Sequence, residues 1–176
     1  LNPYFLILWF DLSPYLIIIL YNNFKIMSDN FSLVIKNGSC YIDGKLTKID
    51  IGLSGNKIKK IGKIELNSSK VYDATDKVIL PGIIDTQVHF REPGSTDAED
   101  LESGSRAAVL GGVTSLFEMP NTNPPTSNLV EFDKKLQAAK NRMHSNYAFY
   151  FGATPDNTDQ LAKLKDVEGC CGVKLF

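Results

Sequence analysis

The chain has 176 residues, 43% of them hydrophobic and 22% charged, enough for one domain with a real core or for parts of two, and not the composition of a disordered chain. Its 19 basic residues nearly balance 20 acidic ones, and a formal net charge of −1 supplies no field to draw in nucleic acid or an anionic membrane. A small-molecule partner is therefore expected, and three cysteines (Cys40 and the adjacent Cys170 and Cys171) form neither an even disulfide framework nor a CxxC metal knuckle, which fits a reducing, cytoplasmic setting.

Residues 1–26 do not match the rest of the chain. From Pro3 to Phe24 the sequence is nearly all apolar or aromatic, with YLIIILY at Tyr15 to Tyr21. A membrane helix needs about 20 apolar residues, yet Asp11 and Pro14 fall near the middle of this run, where a carboxylate costs roughly 2.5–3.5 kcal/mol. A secretory leader carries its positive charge ahead of the apolar run, whereas Lys25 comes after it. Met27 then precedes a polar SDN, so residues 1–26 are expected to be upstream translated sequence outside the folded protein, with a membrane anchor as the alternative reading.

Residues 27–77 are expected to form a small β module, an incomplete β-sandwich. The runs FSLVIK, SCYI, KLTKIDIGL and KIKKIGKI are separated by Asn37-Gly38, Asp43-Gly44 and Ser54-Gly55-Asn56, and such pairs suit hairpins because they tolerate positive φ. NSSK, ending at Lys70, reads as a polar joint.

From Val78 the rhythm changes to alternating strand and helix. VILPGIIDTQVHF reads as a strand, and Thr96-Asp97-Ala98-Glu99 has the spacing of a capping box for a helix that runs to Gly111-Gly112. VTSLFEM is the next strand. Leu129, Phe132, Leu136, Ala139 and Met143 recur at steps of three and four, a stripe that a helix aligns. NYAFYFGA is a third strand, a helix carrying Leu161, Leu164 and Val167 ends at Gly169, and CCGVKLF begins a fourth strand. Such βα units suggest an α/β barrel or a doubly wound sheet; a full barrel takes roughly 250 residues, so residues 78–176 would be its first three βα units plus the fourth strand.

Chemistry concentrates in DTQVHFREPG. On a strand, side chains two apart share a face, so Asp85, Gln87, His89 and Arg91 oppose Ile84, Thr86, Val88 and Phe90. Parallel α/β folds hold ligands at the carboxyl ends of their strands. An imidazole there suits a divalent metal, and a guanidinium two residues on can grip a carboxylate through paired hydrogen bonds. Taken alone, a rim histidine and a solvated arginine are the plainer reading. Asn121, just past Met119-Pro120, and Lys174, flanked by apolar residues that favour a neutral, reactive amine, complete a constellation from three segments. Glu118 reads as a buried polar anchor, His144 as exposed, and Cys170 and Cys171 as small packing residues without a paired histidine. Glu92 takes no role.

PGIIDTQVHFREPG, DLESGSRAAVLGGVTSLFEMPNTNP and GVKLF together resemble the amidohydrolase superfamily and, within it, dihydroorotase, over about residues 31–176. The resemblance implies a (β/α)8 barrel beside a small β-sandwich, with one or two zinc ions at the barrel mouth. It implies hydrolysis of the ring amide of dihydroorotate, or its formation from N-carbamoyl-aspartate, in pyrimidine biosynthesis. His89 then matches the second metal-binding histidine, Lys174 the lysine that becomes a metal-bridging carbamate, and Arg91 and Asn121 the residues on the substrate carboxylate. Gln87 stands where the family has its first histidine; a neutral carboxamide is a poorer zinc ligand than imidazole. Asp85 would orient neighbouring ligands through a hydrogen bond. The family's general-base aspartate and its later histidine ligands lie outside this sequence, so no catalytic residue is expected in it, and this chain alone is expected to be inactive. Allantoinase-like relatives tend to lack the arginine and the Met-Pro-Asn-Thr run. The alternatives are a hydantoinase or allantoinase relative, or a metal-free dihydroorotase-like scaffold; a homo-oligomer or a transcarbamoylase complex would be the partner arrangement.

Overall fold

The computed structural model describes residues 15–17, 30–65 and 70–176, in two compact units that part between Ile83 and Ile84. The first unit contains β1 (Tyr15–Ile17), β2 (Leu33–Lys36), β3 (Ser39–Ile42), β4 (Lys45–Lys48), β5 (Asp50–Ser54), β6 (Lys57–Gly62), β7 (Val71–Asp73) and β8 (Val78–Leu80). They form two sheets, ordered β1-β8-β3-β4 and β6-β5-β2-β7. Cys40 and Ile79 from one sheet meet Ile35, Ile51 and Leu53 from the other in a single buried core, the arrangement of a sandwich.

Two of the three expected turns are hairpins. Asp43 (φ 49°) and Gly44 (φ 79°) fold β3 onto β4, and Gly55 (φ 58°) with Asn56 folds β5 onto β6. Asn37-Gly38 is not a hairpin, because β2 and β3 lie in different sheets. Asn37 takes φ 67° and donates from Nδ2 to Asp73 Oδ1 at 2.9 Å. A Cβ on Gly38 would lie 2.4 Å from Ile79 Cδ1, so the glycine lets the backbone cross tightly over the core. KLTKIDIGL likewise divides at Ile49 into β4 and β5, one in each sheet.

The separation expected for residues 1–26 falls outside the described residues except at Tyr15–Ile17, whose backbone pairs in parallel with β8. The polar joint lies outside them too, apart from Lys70. VILPGIIDTQVHF is two strands and not one: β8 pairs with β3 in the sandwich, and β9 (Ile83–Val88) comes after Pro81-Gly82. Proline has no N–H to give a sheet ladder, so the strand breaks there and the unit boundary falls after Ile83 instead of before Val78.

The second unit runs β9, α1 (Leu101–Leu110), β10 (Val113–Glu118), α2 (Leu129–Ala139), β11 (Asn146–Gly152), α3 (Thr158–Leu161), a 3-10 turn at Leu164–Asp166 and β12 (Cys170–Lys174). Its sheet is ordered β12-β11-β10-β9, with β10, β11 and β12 parallel. Phe90, Leu101, Leu116, Phe132, Phe149 and Phe151 are its buried core. Apolar burial on β9 does not alternate along its whole length as expected, since Ile84 is 55% exposed on this edge strand, while Val88 packs against the core and Phe90, just beyond it, is buried within it.

Helix starts are set by the caps that actually form. Asp100 caps α1 by accepting Ser103 N–H at 2.7 Å, while its own N–H donates to Ser103 Oγ at 3.4 Å; the helix thus begins after the Thr96–Glu99 segment, where Ala98 N–H closes a turn onto Ser95 O at 3.0 Å. Asn128 caps α2 through Glu131 N–H at 2.9 Å. Leu129 is left half-exposed and Met143 lies past the helix end, so the buried face of α2 is Phe132, Lys135 and Ala139. The expected helix across Leu161 to Val167 breaks into α3 and the 3-10 turn. Asn157 precedes α3 but uses its carboxamide elsewhere, accepting Thr154 N–H at 2.9 Å and donating to Ser127 O and Gly152 O at 2.7 and 2.9 Å. Among the described residues no helix is long and apolar enough to cross a membrane.

The Ser103 N–H bond holds the Asp100 carboxyl below the usual carboxylate range. A depressed folded value contributes stability above the unfolded value, about pH 4, and that contribution is lost as pH falls through the folded value. Asp100→Asn keeps a capping oxygen but cannot titrate. Urea midpoints measured across the acid range should therefore fall more for the native chain than for Asp100→Asn below about pH 4.

Candidate functional site

The site is built where the strands of the second unit end. Val88, the last residue of β9, accepts Met119 N–H at 3.0 Å, so the carboxyl ends of β9 and β10 lie side by side. His89 comes directly after it, and its Nδ1 lies 2.9 Å from Asn121 Oδ1. An amide oxygen only accepts, so Nδ1 is the donor in this bond.

Phe90 turns inward between His89 and Arg91, and its N–H donates to Glu118 Oε1 at 3.2 Å. Glu118 is the last residue of β10, where Thr114, Leu116 and Glu118 alternate inward. Its second oxygen meets Lys135 Nζ from α2 at 3.0 Å, at angles poorer than a directed hydrogen bond, and both side chains are almost completely buried. Burial pushes the Glu118 carboxyl up and the Lys135 ammonium down, and their mutual attraction opposes both shifts. Lys135 Nζ also lies 5.3 Å from the centre of the Phe149 ring.

Arg91 is exposed and takes φ 61°, left-handed for a residue with a Cβ. Its carbonyl accepts Ser95 N–H at 3.0 Å. Glu92 receives both terminal nitrogens of Arg142, at 2.7 and 3.1 Å, and also Leu101 N–H at 2.9 Å. Arg142 is held above its ordinary range by the Glu92 hydrogen bond. Pro93 accepts Asn123 N–H at 2.9 Å, and a Cβ on Gly94 (φ 122°) would sit 3.0–3.3 Å from Asn123 atoms, which explains why a Pro-Gly turn lets the two loops touch. Beyond them, Asn121, Thr122, Ser127, Gly152, Thr154 and Phe176 line an open hollow of ≈ 280 Å³.

The remaining expected residues do not join the contact. Lys174 is half-buried at the end of β12, with Nζ 5.4 Å from the Phe176 ring centre. Three strand spacings separate β12 from β9, roughly 14 Å along the sheet. Gln87 is exposed, and its backbone N–H donates to Asp85 Oδ1 at 3.0 Å. The Asp85 carboxylate thus steadies its own strand and not an imidazole. His144 is exposed and meets Glu102 Oε1 at 2.9 Å. Burial raises both adjacent thiols, Cys171 to about 12, as inert packing residues require.

Zinc does not find a complete donor set here. One imidazole, one exposed neutral carboxamide and one ammonium over an aromatic ring are what the expected ligands present, and no group of three or more His, Cys, Asp or Glu side chains that could hold a metal occurs among the described residues.

A model of the amidohydrolase family matches residues 78–169. The chain belongs to the amidohydrolase family. An allantoinase of Salmonella choleraesuis (strain SC-B67) is 38% identical over 148 residues, which are 84% of this chain and 32% of that relative. Among solved structures, an L-hydantoinase (dihydropyrimidinase) from Arthrobacter aurescens is 30% identical with a TM-score of 0.74, over 81% of this chain and 32% of its own. A D-hydantoinase (dihydropyrimidinase) from a Thermus species is 29% identical with a TM-score of 0.60, over 76% and 30%. This amidohydrolase chain spans about a third of the length of the curated relatives it matches. The arginine and Met-Pro-Asn-Thr run, expected to set it apart from allantoinases, do not prevent allantoinases from matching it at this level.

Sequence reasoning missed Lys135, Arg142 and the role of Glu92. A carboxylate at an inward position of β10 requires a buried partner, and Lys135 lies three residues after Phe132 on the same helical stripe, so that pair had a signal. Arg142 had none, because 50 residues separate it from Glu92.

Removing one partner of a buried pair strands the other. Lys135→Met should cost about 3–5 kcal/mol in urea denaturation, whereas Glu118→Met combined with Lys135→Met should recover most of it, provided the Phe90 N–H finds water. Because the Glu118 carboxyl is raised in the fold, the single variant should be least impaired at low pH and weaken as pH rises through the folded value.

Proposed function

We propose that the protein to which this chain contributes hydrolyses a ring C–N bond in a cyclic amide of the hydantoin or allantoin class. One observation carries the reading: in a chain of this family, His89 and Asn121 meet at 2.9 Å at the carboxyl ends of adjacent strands, beside an open hollow. Family membership and the allantoinase and hydantoinase relatives support the reaction class. The β9-to-β12 sheet would form the first part of a (β/α)8 barrel, whose mouth is where such folds hold ligands.

In this reading the largely apolar hollow takes the flat ring. Asn121 is occupied on its oxygen by His89 and keeps its amide N–H groups for a ring carbonyl. Arg91, exposed in the same turn, supplies charge-assisted hydrogen bonds to an anionic or carbonyl oxygen of the substrate. His89 is oriented by its Nδ1 bond to Asn121, which leaves Nε2 as the ring nitrogen to meet a ligand. Zinc, one or two ions, would need ligands beyond the described residues, and Lys174 as a carbamate belongs to that larger site. A cytoplasmic location and a homo-oligomeric state are proposed on the same footing, whereas a transcarbamoylase partner goes only with a dihydroorotase-like protein.

A second reading, dihydroorotase, is favoured by Arg91, because dihydroorotate carries a ring carboxylate that hydantoin and allantoin lack. The whole protein assayed against allantoin, hydantoin and dihydroorotate separates the two. Turnover of allantoin or hydantoin supports the first reading, turnover of dihydroorotate alone supports the second, and turnover of none defeats both. Arg91→Met should raise KM by about 10–100-fold, the loss of a charged hydrogen bond worth roughly 1.5–3 kcal/mol. The larger effect is expected if the substrate carries a carboxylate.

A further inference from the structure

Arg91 sits in a backbone conformation that opposes its own side chain, so something outside the residue must hold it there. The residues on either side are each fixed by a carboxylate. Before it, Phe90 N–H is held by Glu118, itself paired with Lys135 from α2. After it, the Glu92 carboxylate takes two bonds from Arg142 and one from Leu101 N–H at the start of α1. Arg142 also donates to Ala138 O at 3.1 Å, near the end of α2, so Glu92 fastens the turn to both helices. Gly104 of α1 closes the clamp, since a Cβ there would lie 2.3 Å from the Phe90 ring.

We infer that Glu92 is a positioning residue: locked by Arg142 and the α1 backbone, and working with Glu118 on the other flank, it fixes the left-handed backbone from which the Arg91 guanidinium meets the substrate. Glu92 itself is largely covered and needs no contact with a ligand. The inference rests on the proposed role of Arg91, but its structural half can be judged without any substrate.

The test compares Glu92→Gln, Arg142→Met and Arg142→Lys in the whole protein. Amide hydrogen exchange at Ser95, Leu101 and Asn123 should quicken about tenfold or more in Glu92→Gln and Arg142→Met, while the Leu116 and Phe149 amides of the sheet keep their protection. Arg142→Lys, which keeps a cation near Glu92, should restore part of that protection. With a cyclic amide that the native protein opens, the first two variants should raise KM about tenfold with kcat little changed. Unchanged exchange at those three amides, equal acceleration across the sheet, or a loss in kcat with KM unmoved would each overturn the inference. If the native protein opens no cyclic amide, the functional reading fails and the exchange result alone decides whether Glu92 holds the turn.

Discussion

A carboxylate at the end of β10 does what no apolar residue could do there, because it faces a backbone N–H and an ammonium that are both cut off from water. Glu118 takes Phe90 N–H with one oxygen and approaches Lys135 with the other. Strand, helix and the turn after β9 are thereby joined at one buried point. Desolvating two charges is expensive, and a well-packed apolar pair would often serve stability equally well. What an apolar pair could not supply is an acceptor for Phe90 N–H, the peptide between the imidazole and the guanidinium. The peptide that joins the two site residues is thus held by a group that lies outside the contact between His89 and Asn121.

Much of this fold was legible in the amino-acid sequence. Alternation in VTSLFE, the stripe on α2 and the Asp-Gly turn each reflect local physics, and each gave the right element. Two of the failures occur where a local signal was overridden by a distant partner. Asn37-Gly38 has hairpin chemistry, but its asparagine bonds Asp73 and its glycine packs under Ile79, so the chain changes sheets. Asn157 could cap a helix, yet its carboxamide is held by Ser127 and Gly152. Pro81 marked a strand break that the long apolar run obscured. Within the site, His89 and Asn121 were recognisable from their motifs, whereas Arg142 became visible only when the fold brought it to Glu92.

The same structure sets bounds on the chemistry. His89 and Asn121 are in contact, Arg91 lies in the turn that follows His89, and Lys174 stands on the opposite edge strand of the sheet. The chain belongs to the amidohydrolase family and is similar to an allantoinase and an L-hydantoinase, and the proposed opening of a cyclic amide rests on that kinship. Gln87 weakens any metal reading based on the usual pair of strand histidines. In the proposed function this part of the site is a binding and orienting surface.

NMR titration of the whole protein with hydantoin, monitoring the His89 ring and the Asn121 side-chain amide, tests that surface most directly. Saturable shifts at both groups, absent at the exposed His144 ring, are the predicted result. Binding that leaves His89 and Asn121 unmoved while shifting residues elsewhere would contradict the account.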